Sequence, residues 1–270
     1  MKGKAIAIPY TIWMAIFVVA PLVLVVIYAF TTADGAFTLE NFSHMGDYTT
    51  VFVKSFLLAL IATAICLLIG YPFAYIITKQ SEVFKQVAML LIMLPMWMNF
   101  LLRTYAWMSI LENNGLLNRL LSFIGLPTIS IINTDAAVVL GMVYNFLPFM
   151  VLPIYSVIDK IDKSVIEAAQ DLGANSGMVF RKVIFPLSLP GVLSGITMVF
   201  VPSVSTFIIS KLLGGGSSLM LGDLIEMQFL GNAYNPHLGS AISLVMMVIV
   251  IICMAVMNRF GDGESEAVLL

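Results

Sequence analysis

Ser164-Val165-Ile166-Glu167-Ala168-Ala169-Gln170-Asp171-Leu172-Gly173, followed by Asn175 to Lys182 and then Pro186, lies between two apolar runs of membrane length. Charge and helical pattern coincide in this stretch, while its flanks could hardly leave a bilayer. A polar, helix-forming loop on so apolar a chain is most simply a handle for another protein. What grips it decides what the chain does.

The flanks set the class. Hydrophobic residues form 60% of the 270 and charged residues 10%, where a soluble domain carries about 25% charged residues. The chain therefore reads as an all-α, polytopic membrane protein in contact with lipid. Its net charge of −2 and scattered basic residues give no footing for nucleic acid. Cys66 and Cys253 both fall inside apolar runs and read as small core side chains, with no disulfide or metal site implied.

Six spans are expected, at roughly 10–30, 54–78, 86–108, 136–158, 187–210 and 238–258. Each approaches or exceeds the ~20 residues that an apolar helix needs to cross ~30 Å of hydrocarbon. No alternating pattern suggests a barrel. The first run is longer than a cleavable signal core and reads as a retained anchor.

With the N-terminus in the cytoplasm, that side receives Lys2, Lys4, Lys79, Lys85, Lys160, Lys163, Arg181, Lys182 and Arg259, and the other receives Lys54, Arg103, Arg119 and Lys211. Nine against four obeys the positive-inside rule. Both termini and the 159–186 loop then face inward. On the outer side, Trp107–Leu111 and Leu116–Leu121 bracket Glu112-Asn113-Asn114-Gly115 at helical spacing and read as short interfacial helices. Gly214-Gly215-Gly216-Ser217-Ser218 reads as a flexible connector, and Leu219–Phe229 as a short helix. No GxxxxGK[ST] pattern exists in the chain, so the glycines are not a phosphate loop.

Ser164 followed by Glu167 fits a capping box. Ala168 and Ala169 favour helix and allow close approach. Gly173 stands where a helix end wants a left-handed residue. Asn175 or Ser176 can cap a second short helix through Lys182, which Pro186 and Pro190 are expected to end. Helix, glycine turn, helix is the result.

Glu167, Ala168, Ala169, Gly173, Val183, Phe185 and Pro186 together resemble the EAA loop of ABC-importer permeases, with Val183 and Phe185 where Ile and Leu are usual. Leu94–Asn99, Leu102–Trp107, Val143–Phe149 and Gln228-Phe229-Leu230 extend the resemblance to the spermidine/putrescine branch of that family, and Asn235-Pro236 departs from the Trp-Pro often found there. The resemblance implies a type I ABC-importer permease fold in a bacterial cytoplasmic membrane. It implies a loop, carried by Glu167, Ala168, Ala169, Asp171 and Gly173, that docks on a cytoplasmic ATPase. ATP and Mg would be bound by two copies of that ATPase. A second, similar permease and an extracytoplasmic binding protein would complete the machine.

No acidic residue lies near the middle of any span, although a polycation crossing hydrocarbon needs charge compensation. Aromatic faces and amide or hydroxyl oxygens are the remaining candidates: Trp97, Asn99, Tyr144, Asn145, Ser203, Ser205 and Thr206. Trp97, Tyr105 and Trp107 read equally as an aromatic belt, and Arg103 as a side chain snorkelling to the outer interface. Asp223 and Glu226 either attract an amine at the outer mouth or are solvated loop charges. Gly191-x-x-x-Gly195 reads as a close helix contact. Disorder is expected for the Gly261-Asp262-Gly263-Glu264 tail. A secondary transporter would show intramembrane carboxylates or paired broken helices, and an enzyme would need a constellation that His44 and His237 alone do not build; an importer of another small solute stays open.

Overall fold

The computed structural model describes residues 2–216, 218–231 and 233–267. Among them there is no strand, only an isolated bridge between Thr31 and Phe37. Helix α1 (Lys2–Met14) passes through a π turn into α2 (Ala20–Ala29), and a short α3 (Glu40–Ser43) leads to the long α4 (Thr49–Thr78). Then come α5 (Glu82–Met93), α6 (Phe100–Leu111), α7 (Leu116–Phe123) and α8 (Asp135–Ile158). The loop helices α9 (Lys163–Asp171) and α10 (Ser176–Val179) precede α11 (Phe185–Ser205). Last are α12 (Ile208–Leu213), α13 (Leu221–Leu230) and α14 (Pro236–Ala267). The final helix thus runs through the 261–264 stretch expected to be disordered.

The centre is α4, α8 and α11, packed pairwise on one another, with α14 against α2, α11 and α13. Burial follows this order: 56% of the apolar window of α8 is buried, against 6% of the window in Ile8–Ala29. The first span is therefore almost entirely uncovered by the rest of this chain, and α8 is the axis. Small residues let the central helices meet. A side chain at Gly191 would lie 2.8 Å from the Pro153 carbonyl, and one at Gly195 would lie 2.7 Å from Met150 Sδ. The Gly191/Gly195 pair is a helix contact, as its spacing suggested.

Among the described residues five helical stretches are long and apolar enough to cross a membrane, or six if the bent pair Glu82–Trp97 with Phe100–Phe123, at 93°, counts as one span. The expected continuous span 86–108 is therefore broken. Pro95 removes a backbone donor, Leu94–Trp97 tightens to a 3-10 turn, and Met98 is extended. Asn99 then restarts the chain as α6 by accepting from the Leu101 and Leu102 amides at 2.9 and 3.4 Å. The expected 187–210 span is cut too: Thr206 is extended after α11 and α12 begins at Ile208.

The glycine connector after α12 is held, except that Ser217 lies outside the described residues. Gly215 (φ 55°) lies so close to Asn133 that any side chain would collide with its amide, and Asn133 N–H donates to the Leu213 carbonyl at 2.8 Å. Ser218 is buried and donates to Asp135, which also pairs with Lys54 at 2.8 Å.

Candidate functional site

The helices define two ends. One end gathers the end of α4, the start of α5, the end of α8, and the loop that contains α9. Lys85 Nζ there bridges Glu82 at 2.9 Å and Asp159 at 2.8 Å, fastening α5 to the end of α8 just before the loop.

The cap of α9 differs from the expected box. Asp162, not Ser164, is the N-cap: its carboxylate accepts from the Ser164 amide at 2.9 Å, and the backbone of Asp162 is extended while Ser164 is already helical. A carboxylate two residues upstream reaches the first free amide, which leaves Ser164 inside the helix. The other end of α9 matches expectation. Gly173 has φ 83°, its amide donates to Gln170 at 2.8 Å and the Ala174 amide donates to Ala169 at 3.0 Å. These two bonds make a Schellman motif, which only a residue free of a left-handed penalty closes cheaply. Asn175 caps the following turn by accepting from Met178 at 2.9 Å.

Pro186 does not end that second helix. A π turn at Phe180–Ile184 carries α10 straight into α11, and the Phe185 amide bonds to the Phe180 carbonyl. The wider turn accommodates the missing proline donor without breaking the rod. Phe180 in turn meets Tyr71 edge-on at 5.9 Å and Tyr75 at 5.1 Å, and Tyr71 shares a 2.8 Å hydroxyl contact with Ser188. Loop and central bundle are thus one packed unit.

Within α9, Ile166 and Ala169 pack on the core together with Ile161, Ala174 and Phe180. Glu167, Ala168, Asp171 and Gly173 are exposed. With them stand Val165 and Leu172, the latter 90% exposed. Val165, Ala168 and Leu172 recur at helical spacing and form an apolar stripe edged by two carboxylates. Leu172 was missed in the sequence, although its place seven residues after Val165 was legible.

Of the path candidates, Tyr144 belongs to a cluster of other side chains, and the rest stand apart in their own helices or at helix ends. Tyr144 meets Trp107 edge-on at 5.0 Å, and the Arg103 guanidinium lies 5.7 Å from the Tyr144 ring and 5.8 Å from that of Phe100. Arg103 does not snorkel outward: it is 8% exposed and donates to the Pro95 carbonyl across the helix break. Asn145 is buried, giving its amide to Gly141 at 2.8 Å while its Oδ1 has no partner among the described residues. Ser203 bonds back to Val199 at 2.6 Å inside its own helix, Ser205 is exposed, and Thr206 is buried at the end of α11. Trp97 and Asn99 are exposed at the bend, where Asn99 serves as a cap.

At the opposite end, Asp223 is 6% exposed and caps its own helix by accepting from the Met220 amide at 2.9 Å. It is not a solvated loop charge, and burial pushes its carboxyl above the usual range. Glu226 pairs with Lys211 at 2.9 Å. Lys211 and Lys54 had no local signal, because their partners come from distant elements. His237, given no role from sequence, sits 3.1 Å from the Tyr28 carbonyl and ties α14 to α2.

A family model described as the binding-protein-dependent transport system inner membrane component matches residues 67–263, from the middle of α4 through α14. The chain belongs to this family. The permease is 39% identical over 257 residues, 92% of this chain and 90% of the relative, to the spermidine/putrescine transport system permease protein PotB of Haemophilus influenzae. It is 38% identical to the Escherichia coli protein of the same name, over 88% of this chain and 90% of that one. Among solved structures it is similar to a chain of a bacterial ABC transporter that imports the acidic polysaccharide alginate, with a TM-score of 0.78, 18% identity and coverage of 96% and 94%. The inward-facing MetNI methionine ABC transporter gives 0.61 at 16% identity, covering 82% and 98%. Those two likenesses establish the fold of an ABC-importer permease.

Proposed function

We propose that this permease is one of two transmembrane subunits of an ATP-driven importer of polyamines of the spermidine/putrescine class. The observation that carries the coupling half is α9: a helix fixed at both ends, packed by one face and bare on the other. The cargo half is supported by the identity to the two spermidine/putrescine permeases over most of the chain.

In this reading the N- and C-termini and α9 are cytoplasmic. The Val165/Ala168/Leu172 stripe enters a cleft on an ATPase subunit, and Glu167 and Asp171 meet basic groups at its rim. Two ATPase copies, a second homologous permease and an extracytoplasmic binding protein complete the assembly. ATP and Mg are bound by the ATPase, and this chain catalyses nothing. Closure of the ATPases draws the two coupling helices together, and the rigid link from α9 through Phe180 to α4 and α11 converts that motion into rocking of the bundle.

The path is contributed by Trp97, Asn99, Tyr144, Asn145, Ser203, Ser205 and Thr206, with Asp223 and Glu226 at the outer mouth. Cation–π contacts of ~0.5–2 kcal/mol each guide a cation without trapping it. Weak sites suit a conduit whose selection lies in the binding protein. The test is uptake of labelled spermidine by proteoliposomes holding the whole complex, together with its ATPase rate. Glu167→Lys and Leu172→Asp should insert normally but lose the ATPase on purification and lose uptake. Wild-type uptake in both would sink the coupling assignment, and a wild-type complex that carries no polyamine would sink the cargo assignment.

A further inference from the structure

Two carboxylates lie one helical turn apart on α13, at Asp223 and Glu226, on the same face. Lys211, at the end of α12, reaches over to Glu226. Its Nζ donates to both oxygens of Glu226, at 2.9 and 3.1 Å. Asp223 lies beyond ion-pair distance of that ammonium and adds its charge to it from there. Its carboxyl stands beside the Ser210 hydroxyl, which donates to the Phe207 carbonyl, and its Oδ1 is buried with no hydrogen-bond partner among the described residues. An orphan carboxylate oxygen in such a place costs free energy unless something else uses it.

A primary ammonium has three donors and no acceptor. Glu226 satisfies two of them, and the free oxygen of Asp223 is the kind of acceptor the third requires. The group that rests here is a four-carbon chain ending in an ammonium. A terminal aminobutyl arm of putrescine or spermidine is the same chemical object. Lys211 is 59% exposed along its side chain and Glu226 23%, so the lysine can swing off while the carboxylate stays put. An exposed pair of this kind adds little to stability, which leaves occupancy as its consequence.

We propose that Lys211 is a tethered mimic of the cargo, which fills an ammonium site formed by Glu226 and Asp223 until an incoming amine displaces it. The proposal rests on the polyamine reading above. It explains how an acidic mouth avoids holding its cargo: each arriving ammonium must compete with a resident one, so the site takes amine from a loaded binding protein and lets it go.

The experiment uses the complex of both permeases and the ATPase in nanodiscs, without binding protein, and measures equilibrium binding of radiolabelled spermidine. Lys211→Met should tighten binding roughly threefold to tenfold. Adding Glu226→Gln to that variant should return binding to the wild-type level or weaker, and Lys211→Arg should resemble wild type. Glu226→Gln alone, which should weaken binding about threefold, reads the same carboxylate if the methionine variant fails to assemble. Binding by Lys211→Met equal to or weaker than wild type overturns the mimic, as does an unchanged Glu226→Gln. Uptake assayed in parallel with binding protein separates the two failures: a wild-type complex that imports spermidine keeps the cargo reading while the mimic falls.

Discussion

Arg103 and Pro95 stand on opposite sides of a 93° bend, and the guanidinium of the first donates to the carbonyl of the second. Pro95 tightens the chain there, and Arg103 fills the inside of the corner between the Phe100 and Tyr144 rings. A buried charge survives there because a carbonyl and two aromatic faces replace part of its water.

Arg103→Ala should therefore loosen the corner more than it changes any surface property. It leaves a carbonyl without its donor, a loss of about 1–3 kcal/mol. Arg103→Lys keeps the charge but not the flat guanidinium that stacks on the rings, and should fall between alanine and wild type. Thermal unfolding of the purified permease in detergent measures both. An alanine variant as stable as wild type would mean that Arg103 does not brace the bend.

The two glycines of α11 should respond unequally to enlargement. A Cβ at Gly191 meets the Pro153 backbone carbonyl at 2.8 Å, whereas one at Gly195 meets the end of the Met150 side chain at 2.7 Å and backbone only at 3.1 Å. A methionine tip can rotate away; a helix carbonyl cannot. Gly191→Ala should cost about 1–3 kcal/mol, and Gly195→Ala distinctly less, by the same unfolding assay. The reverse order would mean that Met150 is fixed more firmly than the Pro153 backbone.

The glycines were legible from sequence because a residue without a side chain reports a backbone need directly. Gly173, Gly191 and Gly195 all do what their positions suggested. The course of α11 through Pro186 was not legible, since a π turn upstream leaves no signature and a proline alone reads as a stop. Arg103 was misread for a different reason. Its burial depends on Pro95 across a bend and on Tyr144 from another helix, neither visible in local hydropathy. The same holds for Lys211 with Glu226 and Lys54 with Asp135, which are pairs made by topology. In the 159–186 loop, whose bonds are nearly all local, the helix, the glycine turn and the Asn175 cap were legible, while the Asp162 cap and the continuation through Pro186 were not. The path candidates stand on separate helices, and no local pattern showed how those helices would pack.

Gly173 sits at φ 83° with open space where a side chain would go, so only conformation limits what replaces it. A left-handed residue costs about 1–2 kcal/mol for most side chains, and asparagine tolerates the region best. Gly173→Asn should keep transport-coupled ATP hydrolysis near wild type, and Gly173→Val should lower it severalfold by unwinding the end of α9. Equal behaviour of the two variants would show that the left-handed turn is not what orients the loop.

Asp162 offers the sharpest contrast, because two residues compete for one role. Its carboxylate accepts from the Ser164 amide, and that backbone bond holds its carboxyl below the usual 3.8. A depressed folded value means that the cap contributes fully above the unfolded value and is lost as pH falls through the folded one. Protection of the Ser164 amide from hydrogen exchange should therefore be flat from neutral pH down to about 4 and decline below it, once intrinsic exchange is corrected for. Asp162→Ala removes the acceptor and should abolish the protection at neutral pH, while Asp162→Asn keeps an acceptor and should retain most of it without the pH dependence. Ser164→Ala keeps the amide that donates, so the start of α9 should survive. If Ser164→Ala instead unravels that turn and Asp162→Ala does not, the serine box read from the sequence is the working cap, because only the residue that accepts the amide bond can make its loss visible there.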